Sequence, residues 1–93
     1  MSSTKRPRPR VVLWRLVGLR LLYVEWVDSH YRPGWTTDDA SSEPLKCVSV
    51  GWLIKEDAEG MTLSSNLSVE ENKQRCGDIT IPTRAILRTK QLL

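Results

Sequence analysis

The side chains of this chain best suited to chemistry cluster in a polar stretch between residues 29 and 44. His30, Tyr31, Arg32 and Trp35 fall there, with Pro33-Gly34 fixing a turn among them. Aromatic planes beside a guanidinium suit stacking on a base and pairing with a phosphate. The competing reading folds Trp35 back as a cap on the core and leaves Tyr31 and Arg32 as ordinary surface residues. Further on, Lys73, Arg75, Thr83 and Arg84 could hold an anion, although isolated surface charges are usually only solvated. Asp28-Ser29-His30 sets acid, hydroxyl and imidazole in a row. Neighbours on an extended segment point to alternating sides, however, whereas a triad needs its groups to converge. His30, Cys47 and Cys76 offer no C-x-x-C or H-x-x-x-H spacing for zinc. Gly51, Gly60 and Gly77 belong to no phosphate-binding loop pattern. The acids between Lys55 and Glu59 read as a solvated hairpin. The expectation is a protein that binds rather than catalyses, with no metal and no cofactor.

The elements that position these residues are mostly strands. Leu22, Val24 and Trp26 share one strand face and Tyr23 and Glu25 the other, giving a first strand over Leu21–Asp28. In the long polar stretch that follows, Thr37-Asp38-Asp39-Ala40 could nucleate one helical turn. Residues 45–54 are the strongest strand, with Val48, Val50, Trp52 and Ile54 on one face and Cys47, Ser49, Gly51 and Leu53 on the other. Trp26 and Trp52 share their faces with aliphatics and are assigned to the core. Gly51 implies a kink or the close approach of a neighbour. Residues 55–60 form a charged hairpin connection in which Gly60 is available for positive φ. Met61, Leu63, Ser65 and Leu67 give the inward face of the return strand. Residues 69–77 form a second polar loop. A strand over 78–81, a turn at Pro82 and a closing strand over 85–92 complete the pattern.

This order, with one turn before the last strand, predicts a mainly β domain. By fold analogy it is a small five-stranded barrel of the SH3-like or Sm-like kind, with a 3₁₀ turn near Pro82. Residues 11–22 extend it as a short helix or a further strand; Gly18 and the β-branched residues weaken the helix. A single domain over residues 11–93 follows a basic arm over residues 1–10, whose prolines and lack of apolar periodicity predict disorder.

Charge divides along the same line. Residues 1–20 carry Lys5, Arg6, Arg8, Arg10, Arg15 and Arg20 with no acid, and the remainder carries eight basic against eleven acidic residues. The arm is therefore suited to phosphates, while the body is mildly acidic. Two cysteines are too few for a disulfide-dependent secreted miniprotein, and no cleavable signal peptide is evident. Arg15, Arg20 and Glu25 interrupt the one apolar run, so no membrane span is expected. A cytoplasmic protein with reduced thiols follows.

The set Val24-Glu25-Trp26-Val27-Asp28-Ser29, Gly34-Trp35, Cys47-Val48-Ser49-Val50-Gly51-Trp52-Leu53-Ile54 and Ile81-Pro82-Thr83-Arg84-Ala85-Ile86 resembles a family of small bacteriophage and prophage proteins. The resemblance spans about residues 23–92. It implies an accessory protein working in the cytoplasm of the bacterial host, on host defence or host gene expression, and it brings no catalytic residue with it.

Three functions are then in play. The leading expectation is a counter-defence protein that sequesters an anionic small molecule, with a cyclic nucleotide as the concrete candidate. His30, Tyr31, Arg32, Trp35, Arg75, Thr83 and Arg84 would line a loop pocket or a pocket between subunits of a homo-oligomer. The alternatives are RNA or DNA binding assisted by Lys5, Arg6, Arg8 and Arg10, and inhibition of a host protein through a strand edge or Trp35.

Overall fold

The computed structural model describes residues 18–69 and 73–93. Five antiparallel strands form one open sheet: β1 (Leu21–Asp28), β2 (Leu45–Glu56), β3 (Gly60–Leu67), β4 (Arg75–Pro82) and β5 (Ile86–Gln91), in the order β4-β3-β2-β1-β5. A single 3₁₀ turn, Thr83–Ala85, joins β4 to β5. It forms where Pro82, lacking an N–H, ends the ladder. The Thr83 N–H is then satisfied by the Glu59 carbonyl at 3.0 Å. This turn packs on β1 and β3 and carries the chain from one edge of the sheet to the other.

The core is small. Leu22 and Val24 of β1, Met61 and Leu63 of β3 and Ile81 of β4 are buried, with Trp26, Leu53, Ile79, Ala85 and Ile86 packed against them. These are alternate residues of each strand, as a sheet with one covered face requires. Trp26 belongs to this packing, and its indole N–H donates to Ser49 Oγ at 3.0 Å.

Trp52 does not join it. The face of β2 that carries Val48, Val50 and Trp52 is the outer one, with Val48 58% and Val50 50% exposed. The core draws on Leu53 from the opposite face, the one made thin by Ser49 and Gly51. Hydropathy therefore misassigns the face, and the cause lies at Gly51. A Cβ there would sit 3.0 Å from Leu63 Cβ and 3.0 Å from the Ser64 carbonyl oxygen. β3 passes directly over Gly51, so at that point the inner face of β2 is filled by Leu63 Cβ and the Ser64 carbonyl instead of a side chain of its own. Gly51→Ala is expected to cost about 1–3 kcal/mol through overpacking, measured as a lower denaturant midpoint at unchanged slope.

Four other expectations change. Thr37–Ala40 forms no helical turn; Thr36 Oγ1 accepts the Asp38 N–H at 3.0 Å in an extended loop. Gly60 does not take positive φ, which falls at Gly18, Gly34 and Gly77 among the glycines described. What Gly60 meets is the Ile81 carbonyl, 3.2 Å from where a Cβ would stand. In β3 the inward residue after Leu63 is Ser64, which is wholly buried, whereas Ser65 is exposed and Leu67 only half-buried. Pairing with β4 keeps one register throughout, from Gly60↔Pro82 to Leu67↔Arg75, with Ser64 facing Asp78 and Asn66 facing Cys76. Finally, β4 begins at Arg75, so part of the expected second loop is strand. Of the proposed 11–22 extension, residues 11–17 lie outside the described residues, and Leu21 and Leu22 open β1. The arm over residues 1–10 also lies outside them.

Candidate functional site

The loop between β1 and β2 is built by local hydrogen bonds. At its root the Asp28 carboxylate accepts the Ser29 N–H at 2.7 Å. Pro33 is followed by Gly34 at φ +91°, the pairing that reverses a chain when the second central residue must be left-handed. Arg32 Nη2 then bonds Asp38 Oδ2 at 2.7 Å, closing the turn on itself. The Glu43 N–H donates to Ser41 Oγ at 3.2 Å before the chain enters β2.

This bracing leaves the two aromatics outside. Trp35 is fully exposed, at 105% of the reference area, and Tyr31 is 84% exposed. Trp35 therefore does not fold back onto the core. Beside it the loop encloses an open cleft of about 510 Å³, lined by Ser29, His30, Arg32, Thr36 and the run from Asp38 to Pro44. The cleft is acidic. Arg32 alone stands against Asp38, Asp39 and Glu43, and its own charge is already engaged by Asp38. A phosphate would meet repulsion here before it met a free cation.

The other expected anion ligands are elsewhere. Arg75 opens β4 and its Nε bonds Asp78 Oδ2 at 2.8 Å. Thr83 and Arg84 lie beyond the other end of that strand, about 23 Å away for eight extended residues. The turn that holds them enters β5 at Ile86, opposite Trp26, at the end of the β1–β5 pair where the 29–44 loop begins, while Thr83 itself bonds Glu59 of the β2–β3 hairpin. The structure thus places His30, Tyr31, Arg32 and Trp35 in one loop, Thr83 and Arg84 at a neighbouring turn, and Arg75 apart. Lys5, Arg6, Arg8 and Arg10 lie outside the described residues.

Catalytic geometry is not assembled around His30. Asp28 is taken by the Ser29 backbone N–H and hydroxyl, at 2.7 and 3.5 Å, and His30 hydrogen-bonds neither residue. Among the described residues no three His, Cys, Asp or Glu side chains converge as metal ligands. Cys47 and Cys76 are both unbridged, on strands separated by β3. Among the described residues no helix is long and apolar enough to cross a membrane.

Two carboxylates are held below their ordinary value. In Asp78 the Arg75 hydrogen bond is the main cause and the Ser64 hydroxyl the second. In Asp57 the causes are the Glu59 and Gly60 backbone N–H groups, which its Oδ1 accepts at 2.9 and 3.1 Å. A lowered folded-state pKa gives stability that is present above the unfolded value, near 3.8, and is lost as pH falls through the folded one. The thermal midpoint is expected to fall as pH drops below about 4, and Asp78→Asn to flatten that acid limb. A limb of unchanged slope in the variant would remove Asp78 from the explanation.

Sequence reasoning missed the outer apolar strip of β2 and the serine–aspartate arrangement behind Gly77. The first was hidden because exposure of valines cannot be read from alternation alone. A signal for the second existed in the pattern Arg75-x-Gly77-Asp78, where a glycine interrupts a strand. No family model, curated protein or solved structure matches the chain.

Proposed function

We propose that the chain is a protein-binding module whose working part is the 29–44 loop, with Trp35 as the anchor that enters an apolar socket on a basic partner surface. The observation that carries this is Trp35 itself. It is fully exposed, in a turn that the Arg32–Asp38 ion pair closes, and tryptophan is among the residues enriched as interface anchors. The acids around it favour a cationic rim on the partner, chiefly through the rate of encounter.

The resemblance of residues 23–92 to small phage proteins supports a host protein as the partner, and the unbridged thiols support the host cytoplasm as the place. Strand order β4-β3-β2-β1-β5 with a three-residue turn between β4 and β5 supports kinship with the SH3-like and Sm-like barrels. Placing a photo-crosslinking residue at Trp35 in bacterial cells is expected to yield one dominant adduct with a basic protein. The same residue at Thr89 is expected to yield none, and equal yields at both positions would refute the assignment.

One observation favours a second reading, capture of an anionic nucleotide. Arg84 makes no ion pair among the described residues and lies in the turn that enters β5 opposite Trp26, the end of β1 from which the aromatic loop leaves. A native mass spectrum recorded with cyclic di- and trinucleotides separates the two. Stoichiometric nucleotide mass, lost in Arg84→Ala, would make the trap the function.

A further inference from the structure

The two outer edges of the sheet are guarded, and one inner edge is not. β4 carries the Arg75–Asp78 ion pair and Pro82, with Gly77 at φ +84° between them. β5 carries Arg88 and Lys90, and Leu87 is an extra residue where its pairing with β1 shifts. Bulges, charges and proline are the usual devices that keep an edge from pairing with another chain.

The first half of β2 has no bulge and no proline, and its single charge is Lys46. β2 pairs with β1 without interruption from Asp28↔Leu45 to Leu21↔Trp52. Its pairing with β3 begins only at Trp52↔Ser64, because β3 leaves β2 where it crosses Gly51. Among the described residues, 45–50 are therefore paired on one side alone. The Leu53 N–H donates to the Arg20 carbonyl, so odd-numbered residues of β2 direct their backbone groups toward β1. By the alternation of an antiparallel ladder, Lys46, Val48 and Val50 direct theirs to the open side. The side chains of Val48 and Val50 stand half exposed beside that row.

We infer that this edge pairs with the same edge of a second copy, antiparallel about a two-fold axis at Val48. In that register Val48 faces the partner's Val48, and Lys46 and Val50 face the partner's Val50 and Lys46. All three outward-directed residues fall in hydrogen-bonded pairs, each exchanging two N–H···O bonds. On the outer face the two valines meet, and each Val50 lies against the aliphatic stem of a lysine. On the inner face Cys47 faces the partner's Ser49. No like charges are directly opposed. A slip by two residues brings in either Pro44, which has no N–H, or Trp52, which already pairs with Ser64. Symmetry and hydrogen bonding thus select one register, and the contact is isologous and closed.

The test is the mass of the full chain in solution, by sedimentation over the widest soluble concentration range. The expected result is a dimer that dissociates on dilution. Val48→Pro removes an N–H that faces no partner strand among the described residues, a position where proline is tolerated on an edge, and is expected to leave only monomer. Should that variant fail to fold, Val48→Lys carries the same test by setting two ammonium groups face to face. In a Cys47→Ser, Cys76→Ser background, Val48→Cys is expected to give an oxidised dimer. The pair separation near 5.5 Å in a hydrogen-bonded pair suits a disulfide. A chain that stays monomeric throughout, or a dimer that survives Val48→Lys without the Val48→Cys crosslink, would overturn the inference. In the first case a strand from another protein becomes the occupant to seek.

Discussion

Replacing Gly77 with alanine is expected to destabilise the domain by about 2–4 kcal/mol, the largest loss from any single methyl in β4. Gly77 holds φ at +84°, and a side chain there costs about 1–2 kcal/mol by itself. A Cβ would also collide with the Ser65 hydroxyl. That hydroxyl can rotate away, but only by giving up its bonds to the Cys76 carbonyl and the Asn66 amide, at 3.4 and 3.0 Å. The two contributions separate in a double-mutant cycle. In a Ser65→Ala background the penalty of Gly77→Ala is expected to shrink to the conformational part, about 1–2 kcal/mol. Equal penalties in both backgrounds would show that the collision contributes nothing. Against a total stability of about 5–15 kcal/mol, the single variant remains foldable but is expected to melt several degrees lower.

Trp35→Ala is expected to do the reverse, leaving stability unchanged and removing the partner. The side chain buries nothing in the isolated chain, so the denaturant midpoint of the variant should match the parent. An aromatic anchor at the centre of an interface loses roughly 2 kcal/mol or more on truncation, about a 25-fold weaker Kd. Tyr31→Ala is expected to cost less, and Arg32→Ala to act indirectly by opening the turn that Asp38 closes. The measurement is the affinity of each variant for the crosslinked partner, with circular dichroism alongside. An Arg32→Ala loss that Asp38→Ala reproduces would mark the pair as a brace. A loss confined to Arg32→Ala would mark the guanidinium as a contact.

Strands were legible wherever alternation was clean. Leu21–Asp28 and the turn after Pro82 stand where the residues place them, because a two-residue period and a proline act locally. The inward face of β2 was not legible, since it depends on β3 crossing a glycine, a contact between distant residues. Ser64 shows the same limit: it is buried directly after a buried Leu63, and no property of the Leu63-Ser64-Ser65 run announces it. In the loop, Pro33-Gly34 gave the turn, while the engagement of Arg32 by Asp38 could not be told from a free arginine. That one ion pair engages the guanidinium that a phosphate would need free.

The neighbourhood of β1 and β5 has a consequence for how the chain is made. Arg88 Nη2 bonds Glu25 Oε1 at 3.1 Å across 63 residues of sequence. On the ribosome, β1 therefore emerges well before the strand that completes its ladder, at about 5–20 residues per second a wait of several seconds. Throughout that interval Leu22 and Val24 have no β5 beside them, and only the β2 side of β1 can form. Closing so long a loop is slow in its own right, in the range of milliseconds to seconds for sheets of this kind. Chaperone demand during synthesis should then follow the apolar strands β1 and β2, and be relieved at the moment β5 clears the exit tunnel.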